Sequence, residues 1–119
     1  MAELEIGAVA RLTGLKPHTL RYYESIGLIR DIRRDAAGKR IYTEADLQWL
    51  EVVNRLRATG MPISKMAEYA RLRQMGDSTA PARKKILQEH LGAIEREIET
   101  LMDCSSSHFL YHMTKRPSP

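Results

Sequence analysis

Two adjoining stretches near the N-terminus decide the fold of this chain. Residues 17–27 read PHTLRYYESIG, and residues 28–42 read LIRDIRRDAAGKRIY. The apolar side chains of the first stretch recur every three residues, at Leu20, Tyr23 and Ile26. That spacing is typical of one buried face of a short helix, for which Pro17 suits the first turn and Gly27 the end.

The residues before this helix predict another short one. Ile6, Val9 and Ala10 share one helical face, and Gly14 can end the helix in the left-handed conformation. Two short helices joined by a glycine-containing turn predict a helix-turn-helix at about 6–27.

The stretch 28–42 predicts a β-hairpin with a basic tip. Its turn reads Asp-Ala-Ala-Gly at 35–38, where the glycine can supply a positive φ. The basic residues at the tip are Arg33, Arg34, Lys39 and Arg40. Residues 11–42 carry eight lysines and arginines against three acidic residues, in a chain whose net charge is only +4. Such a concentrated basic surface favours a nucleic-acid partner, although a solvated basic face without a partner would give the same pattern.

Two further helices complete the domain that we expect at 1–75. Thr43 and Asp46 resemble a capping box at the start of the first, which runs from about 44. The pair occupies about 44–74, with a break at the Thr-Gly-Met-Pro segment that begins at position 59.

A polar linker at 76–80 precedes a long helix at 81–103. The apolar side chains of that helix alternate at spacings of four and three residues, as in a coiled-coil seam. The seam consists of Leu87, Leu91, Ile94, Ile98 and Leu101. Because the linker separates it from the first domain, the seam predicts dimerisation with a second copy; packing back onto 1–75 is the alternative. The tail at 104–119, with its serines and prolines, is predicted to fray.

Composition narrows the class of protein. The 119 residues carry no run of about 18 apolar residues, so no membrane span or membrane partner is expected. The acidic N-terminus lacks the features of a signal peptide, and the lone Cys104 cannot form an intrachain disulfide. We therefore expect a cytoplasmic protein. No catalytic or cofactor-binding motif is present in the sequence, which predicts neither an enzyme nor a bound cofactor.

A set of short motifs, in order over about 4–75, resembles the mercury-resistance-regulator (MerR) family of bacterial transcription regulators. The motifs are Ile6-Gly7-Ala8-Val9-Ala10, Gly14-Leu15-Lys16-Pro17, Leu20-Arg21-Tyr22-Tyr23-Glu24, Ile26-Gly27-Leu28-Ile29, Gly38-Lys39-Arg40-Ile41-Tyr42, Asp46-Leu47 and Leu56-Arg57-Ala58-Thr59-Gly60-Met61. The resemblance implies a mainly α fold, in which a winged helix-turn-helix domain is followed by a long antiparallel coiled-coil dimerisation helix. It also implies a homodimer that binds double-stranded promoter DNA at a pseudo-palindromic operator. Such a dimer distorts the operator, and so affects RNA polymerase indirectly through the DNA, on the bacterial nucleoid.

The same resemblance assigns the DNA contacts. The second helix would enter the major groove, and the hairpin, as the wing, would contact phosphates. The expected contact residues are Lys16, His18, Thr19, Arg21, Tyr22, Tyr23, Arg33, Arg34, Lys39, Arg40, Tyr42 and Arg57. Tyr23 is equally well interpreted as a core residue, and Arg57 as a surface salt-bridge partner. Two positions depart from the family: Lys16 replaces a serine or threonine, and Lys39 replaces the tyrosine that usually follows the wing glycine. Both changes favour electrostatic contact over packing.

The effector is the least defined part of the prediction. The residues just before the long helix, at 77–79, include no thiol for a thiolate metal site, so no metal is expected there. Cys104, His108 and His112 would share a face if the helix continued, which leaves open a zinc site, a redox or electrophile sensor at Cys104, or an inert thiol. A small stress metabolite such as an aldehyde is a further option.

Two other functions fit parts of the sequence. An excisionase-like winged-helix protein bends DNA without an effector, but such proteins usually lack so long a dimer helix. A soluble metal or small-molecule binder would use the C-terminal Cys/His face and leave the basic hairpin incidental. DNA affinity that depends on salt, together with the oligomeric state, separates these alternatives from a regulator.

Overall fold

The structure is a computed structural model of the chain, and it describes residues 3–115. The chain divides into two compact units, with the boundary between Arg83 and Lys84. The first two residues of the expected domain at 1–75 and the last four of the expected tail lie outside the described residues.

The first unit is a small α+β domain. In chain order its elements are β1 (Leu4–Glu5), α1 (Ile6–Thr13), α2 (Pro17–Ser25), β2 (Arg33–Arg34), β3 (Arg40–Tyr42), α3 (Glu44–Ala58), α4 (Ile63–Gln74) and a short 3₁₀ helix (Asp77–Thr79). The long helix α5 (Ala80–Cys104) begins in this unit and continues in the second, where α6 (Ser107–Thr114) follows. The predicted winged helix-turn-helix followed by a long helix is confirmed.

Local signals in the sequence fix two of the helix ends that bound the wing and α2. Gly14 takes a φ of 72° and donates its backbone N–H to the carbonyl of Ala10, which closes α1. Thr43 and Asp46 form the predicted capping box: each side chain accepts a hydrogen bond from the backbone N–H of the other. These caps end α1 and begin α3 at defined residues, and so bound the segment that contains α2 and the hairpin.

The wing is a three-stranded sheet and not a two-stranded hairpin. β3 is the central strand, with β2 and β1 antiparallel on either side of it. Leu4 pairs with Tyr42, and Glu5 pairs with Ile41. The sequence did not predict β1, because two residues are too few to show the alternation that marks a strand.

The core of the first unit lies among α1, α2, α3 and the base of the wing. Its most deeply buried side chains are Val9, Leu20, Leu28, Tyr42, Leu50 and Val53. The indole N–H of Trp49 donates to the buried carbonyl of Leu28 at 2.8 Å, which ties α3 to the chain that enters the wing. The core thus fixes the positions of α2 and the base of the wing relative to each other.

Two segments differ from the sequence prediction. The expected loop at 76–80 contains the 3₁₀ helix, because the buried Thr79 hydroxyl hydrogen-bonds to the carbonyls of Leu72 and Gly76. The tail was predicted to fray, and that prediction is wrong for α6. Ser106 caps this helix by accepting a hydrogen bond from the Phe109 backbone N–H at 3.1 Å, so a serine interpreted as a helix breaker is an N-cap.

Candidate nucleic-acid interface

The N-terminal half of α2 presents polar side chains to solvent. Pro17 occupies its first turn, and Lys16 is the N-cap, without a side-chain bond to the helix N-terminus. Lys16, His18, Arg21 and Tyr22 are exposed, and Thr19 is half-buried. A short helix with a proline start, an uncovered N-terminus and a basic, aromatic outer face has the form of a major-groove reading helix.

The two neighbouring tyrosines of α2 have opposite environments. Tyr22 is 51% exposed, whereas Tyr23 is 2% exposed. Arg57 in α3 donates to the Tyr23 hydroxyl at 3.5 Å. Of the two interpretations of Tyr23, the structure supports that of a core residue, and the Tyr23 hydroxyl connects α2 to Arg57. The exposed Arg57 guanidinium is consequently positioned by a tyrosine, and no described carboxylate forms an ion pair with it.

The wing tip carries the basic residues predicted from the sequence. Arg33, Arg34 and Lys39 are exposed, and Arg40 is half-buried. Asp35 shapes the turn by accepting hydrogen bonds from the backbone N–H groups of Ala37 and Lys39, both at 2.9 Å. Gly38 takes a φ of 84° there, and its carbonyl accepts a hydrogen bond from Arg34 at 3.0 Å.

Two of the wing arginines are paired with α2 by one carboxylate. The Arg40 Nε donates to both carboxylate oxygens of Glu24, at 3.0 and 3.3 Å, and an outer nitrogen of Arg34 lies 3.7 Å from the same carboxylate. The Glu24 side chain is 23% exposed and that of Arg40 is 22% exposed. Sequence reasoning missed Glu24, because α2 and β3 are distant in the chain and only the fold brings them together. A third arginine, Arg33, forms an ion pair with Glu3, and both of these side chains are exposed.

Tyr42 requires a correction. It was expected to contact a phosphate from the wing, but its side chain is fully buried. β3 packs against α1, and the side chain of Tyr42 lies in the core instead of on the outer surface of the wing. Its hydroxyl has no hydrogen-bond partner among the residues that the structure describes. Burial raises the pKa of Tyr42, and the charges of Glu24 and Asp46 raise it further, against lowering by the charges of Arg40 and Arg21.

The predicted seam runs along an open face of α5. Four of its side chains are exposed by 37–61%, and Ile94 is half-buried. The four are Leu87, Leu91, Ile98 and Leu101. A row of half-exposed leucines and isoleucines on one helix is an apolar surface of the kind that marks a protein interface.

The C-terminal Cys/His face does not form as a single helical face. Cys104 is exposed and ends α5, the chain turns at Ser105 and Ser106, and the two histidines lie on α6. The rings of His108 and His112 are in edge contact, with centroids 4.4 Å apart. Among residues 3–115, no group of three or more histidine, cysteine or acidic side chains is arranged to hold a metal ion. Over the same residues, the helices are all too short or too polar to span a bilayer.

Comparison with known proteins gives one family over most of the chain. Residues 4–72 match the family model described as MerR HTH family regulatory protein, and residues 47–106 match that described as MerR, DNA binding. The chain is 42% identical to the HTH-type transcriptional regulator AdhR of Bacillus subtilis over 86 residues, which are 72% of this chain and 61% of AdhR. It is 32% identical over 103 residues to the regulator ZntR of Escherichia coli, covering 86% of this chain and 73% of ZntR.

Solved structures agree with these matches. The structure of HiNmlR, described as a MerR family regulator lacking the sensor domain and bound to promoter DNA, superposes with a TM-score of 0.80 at 28% identity. The match covers 86% of this chain and 81% of HiNmlR. A MerR family regulator from Listeria monocytogenes gives a TM-score of 0.80 at 30% identity, over 85% of this chain and 76% of that one.

Proposed function

Since this chain belongs to the MerR family, whose members are transcription regulators and not enzymes, we propose that it binds promoter DNA as a homodimer. The observation that carries the proposal is the basic surface that α2 and the wing present together on one compact domain. A similar regulator, HiNmlR, has been solved on promoter DNA, which supports the same partner for this chain.

The proposed DNA contacts divide into two groups. The outer face of α2 enters the major groove and supplies the contacts that depend on sequence. The wing arginines and lysine, with Arg57, neutralise phosphates and supply the part of the affinity that is independent of sequence. The first group is Lys16, His18, Thr19, Arg21 and Tyr22; the second is Arg33, Arg34, Lys39, Arg40 and Arg57. Tyr23 and Tyr42 leave the contact set, because both are buried.

The homodimer forms through the α5 seam in this proposal. A second copy of α5, running antiparallel, would cover the exposed leucines and isoleucines with side chains of the same kind. Two-fold symmetry then presents two α2 helices and two wings to successive grooves, which fits a pseudo-palindromic operator. The DNA contacts of α2 and of the wing would not by themselves set the distance between the two half-sites of the operator; the dimer sets it.

Regulation follows from the shape of the DNA in this proposal. The dimer bends and untwists a promoter, and the cost of a few kcal/mol of DNA deformation is offset by the phosphate contacts. RNA polymerase responds to the altered promoter and not to a protein surface. The signal is a small molecule or a stress metabolite. Cys104, whose thiol is exposed at the end of α5, is the candidate group for an electrophile or oxidant, with an inert thiol as the alternative. The protein would act in the cytoplasm, on the nucleoid.

Two measurements on the purified chain test this proposal. Light scattering gives the oligomeric state, and footprinting on the promoter next to its gene gives the operator. We expect a dimer that protects one pseudo-palindromic segment, with an affinity that falls steeply as salt rises. A monomer, or equal affinity for the promoter and a scrambled duplex, would overturn it.

A further inference from the structure

We infer that Glu24 is a positioning residue that sets the wing relative to the reading helix and so raises discrimination between DNA sequences. The inference rests on the proposed DNA contacts of α2 and the wing. Glu24 faces the basic surface but carries a negative charge. Its carboxylate repels phosphate, so a direct effect of Glu24 on DNA affinity would be to lower it.

The location of Glu24 in α2 also disfavours a purely local role. It lies in the last turn of the helix, which carries no basic residue. A carboxylate there opposes the helix dipole, which favours cations at the C-terminal end. The local cost is balanced only by partners from elsewhere in the fold, and those partners are on the wing.

The pairing of two arginines within the wing also favours a bridging anion. Arg34 and Arg40 are directly opposite each other on β2 and β3. Like charges at paired positions of an antiparallel sheet repel and destabilise the pair. The Glu24 carboxylate approaches both, with its closest contact to Arg40 at 3.0 Å and to Arg34 at 3.7 Å.

The bridge leaves the wing able to contact phosphate. Its hydrogen bonds use the Nε of Arg40, so the outer nitrogens of that guanidinium can still face the DNA backbone. Both partners are only about one-fifth exposed, at 22 and 23%, which makes this pair less screened by solvent than the Arg33–Glu3 pair, at 59 and 58%. The partly buried pair can therefore hold an orientation that the exposed pair cannot.

The test compares Glu24→Gln with the matched control Glu3→Gln. Each variant removes one negative charge beside the wing. Glu3→Gln releases Arg33 alone, whereas Glu24→Gln releases Arg34 and Arg40 and frees the wing from α2. Binding is measured on a duplex selected by the wild-type chain from a pool of random sequence, and on a scrambled duplex of the same composition. The salt dependence is recorded for both.

We expect the two variants to differ in the ratio of affinities, which is the affinity for the selected duplex divided by the affinity for the scrambled duplex. Glu3→Gln should strengthen binding to both duplexes equally. Glu24→Gln should strengthen binding to the scrambled duplex but lower the ratio by about tenfold, the order of effect of one mismatched base pair. An equal ratio in Glu24→Gln and Glu3→Gln would overturn the inference.

A second variant keeps the inference testable if Glu24→Gln does not fold. Arg40→Lys preserves the charge that meets phosphate but loses the planar donor geometry that holds Glu24. It should lower the ratio without the gain on the scrambled duplex, and an unchanged ratio in Arg40→Lys would overturn the inference. Where Glu24→Gln folds, Arg40→Lys in that background should add little further loss. Full additivity of the two substitutions would contradict a shared role. A wild-type chain with no preference for any duplex would instead refute the proposed function.

Discussion

The dimer interface gives the sharpest quantitative prediction, through the substitution Leu91→Asp. Leu91 lies in the middle of the α5 seam and is 53% exposed in the single chain. Full burial of a leucine side chain contributes about 2 kcal/mol of free energy. Burial of the exposed half of Leu91 should therefore stabilise the dimer by about 1 kcal/mol per copy, or about 2 kcal/mol per dimer. An aspartate placed there must also lose hydration against an apolar partner.

Adding the two effects gives the size of the change. With about 1 kcal/mol or more for each partly desolvated carboxylate, the dimer should lose at least about 4 kcal/mol. That corresponds to a dissociation constant raised by about a thousandfold. Sedimentation equilibrium measures it, and circular dichroism reports whether the helix survives.

The matched control is Gln88→Asp, which introduces the same residue at an exposed position of α5 outside the seam. The two variants share the helix-propensity cost of aspartate, so any difference in dissociation constant belongs to the seam. If Leu91→Asp stays dimeric at the concentrations at which Gln88→Asp does, α5 does not pair through this face. The assignment of the open leucines would then be wrong.

Three further substitutions test the DNA-binding domain. Arg21→Ala should cost about 1–3 kcal/mol on the selected duplex and little on a scrambled one; an equal loss on both, in fluorescence-anisotropy titrations, would place Arg21 among the phosphate contacts. Lys39→Ala should weaken binding to every duplex and lower the salt slope by about one, and an unchanged slope would argue against a phosphate contact. Tyr42→Phe should leave the urea midpoint near pH 7 unchanged or slightly higher, because the lost hydroxyl has no described partner, and a loss of more than about 2 kcal/mol would reveal one. Since burial raises the pKa of Tyr42, the native state holds the phenol proton more tightly than the unfolded chain does. The stability that this group contributes is therefore intact below about pH 10 and falls as pH rises through the native pKa. Tyr42→Phe should remove that dependence in urea titrations at different pH values.

The helices could be predicted from the sequence because their signals are local. The spacing of Leu20, Tyr23 and Ile26, the glycine after α1 and the Thr43–Asp46 capping box each involve residues within a few positions of one another. The exposed basic residues of α2 and the wing tip could be predicted for the same reason. α6 was missed because a serine favours both a turn and an N-cap, and only the chain after it decides which.

The errors at the candidate site have one physical origin, which is pairing between distant residues. A tyrosine beside two basic residues on a hairpin has the same sequence pattern whether it faces DNA or the core. The difference is made by the packing of β3 against α1, which is distant from Tyr42 in the chain and leaves that side chain in the core. Glu24 was missed in the same way, because a carboxylate on the polar side of α2 has no visible partner until β3 is placed beside it. Local patterns therefore identify which side chains are charged or apolar, whereas strand order and helix placement decide which charges meet phosphate and which meet each other.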